Sequence, residues 1–179
     1  MSWSWSTRRA LALASVGAFL LQATPVLAKD GGCADLLWPV AKEMAAFARA
    51  DLPALSAGAK DNAWGEQAFE LKLVPEADAK LPTSPSGAPH VKAEKIFAGT
   101  VTFKAPSEAE SWHVTLSAPA WIDVVQDGAQ LEAIAHTGGA QNCPVAKSVR
   151  FELKTAPIVL QISGASKDTI KIGIVPAID

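Results

Sequence analysis

The chain has 179 residues, with 16 Lys and Arg against 18 Asp and Glu, a net charge of −2 and two cysteines. Its length suits one domain with a core of its own. The mildly acidic balance, without a long basic cluster, excludes the electrostatic footing that nucleic acid or an anionic membrane surface requires.

Arg8 and Arg9 precede the apolar run Ala10 to Leu21, and Pro25-Val26-Leu27-Ala28 follows it. That order is a secretory signal with its cleavage site, and the apolar run is too short to span a bilayer. Residues 1–28 are therefore expected to be removed and 29–179 to form a single periplasmic or secreted domain with no membrane span. Cleavage takes away two arginines and no acid, so the remaining chain is more acidic still.

Export puts Cys33 and Cys143 in an oxidising compartment, where a disulfide between them is the expected state. A lipid anchor on Cys33 fits poorly, because Asp30 stands where a bacterial lipobox needs an aliphatic residue. A catalytic thiol is the alternative, although no Cys/His signature accompanies it.

From Asp35 the residues Leu36, Leu37, Val40, Met44, Phe47 and Ala48 recur at helical spacing, which predicts a helix over 35–51 with Asp35 as its cap. Beyond it the period becomes two. Phe69, Leu71 and Leu73 alternate with charged residues, and 75–90, rich in proline, reads as a surface loop. Ile96 to Phe103, Trp112 to Leu116 and Trp121 to Gln126 continue the strand pattern. Asp127-Gly128 is a hairpin turn signal, since both central residues of a type I′ turn need positive φ. Val149, Phe151 and Leu153, then Ile158, Leu160 and Ile162, then Ile170, Ile172 and Ile174 complete about eight strands. The expectation is a mainly β protein: an antiparallel β-sandwich or jelly-roll-like domain over 66–176, with one N-terminal α-helix docked on it.

Motifs of the common chemistries are missing: there is no G-x-S-x-G, H-E-x-x-H, C-x-x-C or glycine-rich phosphate loop. His90, His113 and His136 each stand alone in sequence. A β-sandwich can gather distant histidines with a carboxylate around iron, and His113 with His136 would be the pair. The plainer expectation is that His113 lies on a solvated strand face and that no metal is bound. Trp121 and Asp123 share the strand face opposite Ile122 and Val124, which makes them a candidate sugar-stacking platform. The plainer role for Trp121 is packing beneath the helix. Trp121, Asp123 and His136 are the candidate ligand-binding residues.

Together, C-A-D-L-L-W-P-V-A-K-E at 33–43, A-W-I-D-V-V-Q-D-G at 120–128, C-P at 143–144, K-S-V-R-F-E-L at 147–153 and L-Q-I-S-G-A at 160–165 resemble segments of a family of small exported proteins of Gram-negative alphaproteobacteria. That resemblance spans nearly the whole exported chain and implies the same order of helix, proline-rich loop and β region, without an activity. Some members go under the name homogentisate 1,2-dioxygenase, which implies a longer, cytosolic, iron-dependent enzyme with clustered His and Glu ligands. This sequence has neither the length nor the cluster. The leading expectation is thus a non-catalytic binding or accessory protein of the cell envelope, its partner a small molecule, a glycan or an envelope protein. A small iron-dependent dioxygenase and a structural protein-interaction module are the alternatives.

Overall fold

The computed structural model describes Met1 and residues 32–87 and 95–177. Residues 2–28 of the expected signal segment, and His90 in the proline-rich loop, lie outside the described residues. Two packed sheets and one short helix make a β-sandwich, as the alternating pattern predicts.

In chain order the strands are β1 (Ala54–Ser56), β2 (Ala59–Asn62), β3 (Gln67–Lys72), β4 (Val74–Pro75), β5 (Phe97–Phe103) and β6 (Glu110–Leu116). They continue as β7 (Trp121–Gln126), β8 (Ala129–Gln130), β9 (Ala135–Gly138), β10 (Lys147–Leu153), β11 (Ile158–Ala165) and β12 (Thr169–Pro176). One sheet has the order β1-β3-β12-β6-β10-β9. The other runs β2-β5-β11-β7-β8, with β4 also paired to β5.

Alternation settles the inner faces. Phe69 and Leu71, Val114 and Leu116, Ile122 and Val124, Val149 and Phe151, Leu160 and Ile162, and Ile172 and Ile174 are all buried in one continuous core. Burying side chains of this size contributes about 1.5–3 kcal/mol each against the entropy of ordering the chain. The Asp127-Gly128 turn has positive φ at both residues, 52° and 75°, as its sequence requires.

The chain changes sheet repeatedly, and two of these crossings lie close to features described below. Ala57 and Gly58 carry it from β1 to β2 in one tight turn, with Gly58 at φ 84°. Ala57 N bonds to Lys72 O of one sheet and Gly58 N to Thr100 O of the other. Residues 131–134 make another crossing, from β8 to β9.

The helix is shorter than the periodicity predicts. A 3₁₀ turn, Cys33–Asp35, is followed by an extended stretch, and α1 covers only Ala41–Phe47. Pro39 explains this: its ring disfavours helical geometry at Trp38, so helix begins only after the proline. The segment is a strap lying on the outer face of the first sheet. Cys33 is bonded to Cys143, with Cα atoms 5.0 Å apart. Val40, Phe47 and Val145 form a second small core, against which Leu36, Trp38 and Met44 pack. Lys171 Nζ of β12 donates to Phe47 O, satisfying a carbonyl that the helix end leaves open.

Candidate functional site

Two polar arrangements stand out, one beneath the strap and one between the sheets. The first lies on the outward side chains of β6 and β10. Thr115 and Ser148 face each other across the ladder, with their hydroxyls 2.7 Å apart. Trp38 Nε1 donates to Ser148 Oγ at 3.2 Å, and Thr115 Oγ1 donates to Glu43 Oε1 at 3.2 Å. Because Thr115 gives its one proton to Glu43, Ser148 must donate to Thr115, and the whole chain of donors points at the carboxylate.

Glu43 is only 2% exposed. Burial pushes its carboxyl above the usual carboxylate range, while a backbone hydrogen bond, Thr115 and Lys42 pull the other way. Gly173 makes room for it, since a Cβ there would lie 3.1 Å from Glu43 Cγ. His113, expected on a solvated face, is 7% exposed because Trp38 lies stacked on it. Its strand face does point outward; the strap covers it.

The second arrangement is a groove of about 530 Å³ where β7 of one sheet parts from β9 and β10 of the other. That volume lies within the range of small-molecule sites. Ala120, Ile122, Ala146 and Val149 contribute apolar lining, Ala133 closes one side, and Trp121, His136 and Lys147 stand on its walls. The register explains His136: it pairs opposite Val149, whose side chain faces inward. Lys147 Nζ lies 3.8 Å from the Trp121 ring centroid and so bridges the two sheets by a cation–π contact. Burial pushes the Lys147 ammonium below its ordinary pKa, and the negative field of Asp123 partly opposes this.

Comparison with protein-family models, curated proteins and solved structures finds no match. The site must therefore be read from its own geometry.

Trp121 and His136 meet at the groove, as residues fifteen positions apart can only do through the fold. Asp123 does share the outer face with Trp121, but it is 2% exposed. Its Oδ2 accepts from Gln161 Nε2 at 3.0 Å and Ser86 N at 3.3 Å, and Thr83 donates to Gln161 Oε1. The described part of the proline-rich loop thus covers the expected indole–carboxylate platform. A Cβ at Gly87 would fall 2.2 Å from the Trp121 indole, so the loop backbone packs closely on that ring. Nor does Trp121 lie beneath the helix, which sits on the other sheet.

His113 and His136 are not brought together. His113 faces the strap and His136 faces the groove, on opposite sides of one sheet. Among the described residues no group of three His, Cys, Asp or Glu is placed to hold a metal. Sequence reading missed Lys147, whose place on the groove wall depends on a strand pairing with no local signal.

Proposed function

We propose that this protein is an exported, non-catalytic binding or accessory protein of the cell envelope, periplasmic or secreted, that holds a small, largely apolar ligand between its sheets. The single observation that carries this reading is the groove between β7 and β9–β10, apolar along Ile122 and Val149 and opening on one ammonium, Lys147. Such a lining suits a lipid-like envelope component better than a glycan, which needs many hydrogen-bonding partners. The Cys33–Cys143 bond indicates an oxidising, non-cytoplasmic location. No helix among the described residues is long and apolar enough to cross a membrane.

The test is titration with an apolar fluorescent dye, compared with Ala133→Trp, which fills the groove from an exposed position. Dye binding that Ala133→Trp abolishes supports the reading. Equal dye binding by both proteins would sink it.

A further inference from the structure

We infer that the groove takes a monoanionic amphiphile, an aliphatic carboxylic acid whose carboxylate pairs with Lys147 and whose chain lies on Ile122 and Val149. This rests on the groove being a ligand site and names the class of ligand.

Several polar groups of the wall are committed within the protein. Gly139 N bonds to Ala146 O and Ala146 N to Leu116 O, and Thr137 Oγ1 accepts from Leu37 N at 3.0 Å. The described lining offers few side-chain donors or acceptors, Ser86 and His136 among them, to match the hydroxyls of a sugar, and an apolar body suits the rest.

Lys147 supplies an ammonium on the same wall, where His136 also stands. The lysine side chain is held partly out of water over the Trp121 ring, and among the described residues no carboxylate lies within ion-pair distance of it. The acid whose field reaches it, Asp123, is engaged by Gln161 and Ser86. A partly desolvated cation without a counter-ion is costly, and a ligand anion removes that cost. One ammonium, with no arginine fork beside it on the groove wall, matches a single negative charge better than a phosphate dianion.

The experiment titrates decanoate and decanol, identical in chain and different in head group, by calorimetry and by displacement of the apolar dye. It uses the intact disulfide-bonded protein, Lys147→Met and Lys147→Arg. Decanoate should bind the unsubstituted protein about tenfold or more tighter than decanol. Lys147→Met should abolish that preference, and Lys147→Arg should restore most of it. Equal affinity for acid and alcohol overturns the anion pairing while the groove remains a site. Dye that enters the groove and is displaced by neither compound likewise overturns the ligand class alone. Failure of the dye to respond to Ala133→Trp removes the groove reading itself. The comparison of acid with alcohol on the unsubstituted protein decides the matter even if a Lys147 variant folds poorly.

Discussion

The indole of Trp38 lies flat on the imidazole of His113, with centroids 4.3 Å apart and planes inclined by 6°. That contact and the Trp38–Ser148 hydrogen bond tie the strap to the first sheet through one side chain. Trp38→Phe keeps a ring over His113 and loses the hydrogen bond, so we expect it to lower stability by about 1 kcal/mol. Trp38→Ala removes the ring as well and should cost about 3 kcal/mol. Guanidinium denaturation of both variants separates the two contributions; equal losses would show that stacking adds nothing.

Glu43 should make stability fall with rising pH. Burial holds its folded pKa above the ordinary 4.5, so between these values the native state binds the extra proton. The contribution is full below the unfolded pKa and is lost as pH climbs through the raised one. Lys42, Arg49 and Glu66 line the small cleft beside it, and Lys42 and Glu66 act on it with opposite signs. Glu43→Gln cannot ionise, so its melting temperature should exceed that of the unsubstituted protein at neutral pH by a few degrees, about 2–4 °C per kcal/mol. Near pH 4 the gap should close. A gap independent of pH would refute the assignment.

The disulfide closes a sequence separation of 110 residues. Cys33→Ser with Cys143→Ser should therefore cost up to about 4 kcal/mol in the chain-entropy model. Hydrogen exchange should accelerate first at Leu37, whose N–H depends on the strap reaching Thr137. An unchanged exchange rate there would mean that packing alone holds the strap.

Gly138→Ala should destabilise the groove wall. An added Cβ would fall 2.4 Å from Ala146 O, and backbone cannot yield as a flexible side chain does. We expect about 2 kcal/mol and weaker dye binding, measured by denaturation and by the same titration.

Much of the architecture is legible where side-chain period and burial coincide. Val149, Phe151 and Leu153 announce β10, and Ile170, Ile172 and Ile174 announce β12, because each has one face in the core. Asp127-Gly128 announces its turn for a local conformational reason. Strands β1 and β2 escape notice, since Ala54–Asn62 is short, lacks an apolar alternation and pairs in parallel at the sheet edges. The helix is overextended because an apolar period describes the strap equally well until Pro39 is weighed. At the candidate sites, Trp121 and His136 carry recognisable chemistry, but the cover over His113 and Asp123 depends on Trp38, Ser86 and Gln161, remote in sequence. No local pattern shows which outward strand face another segment will shield.

The order of strands also bears on when the protein can fold. β11 lies at the centre of one sheet and β12 between β3 and β6 in the other, so both sheets await the two strands synthesised after all the rest. Until these emerge, β5 and β7 lack the neighbour that joins them, and β3 lacks its link to β6. Pairings this distant form slowly. With this topology neither sheet can be completed before β11 and β12 are available, so assembly of the sandwich depends on the last part of the described chain.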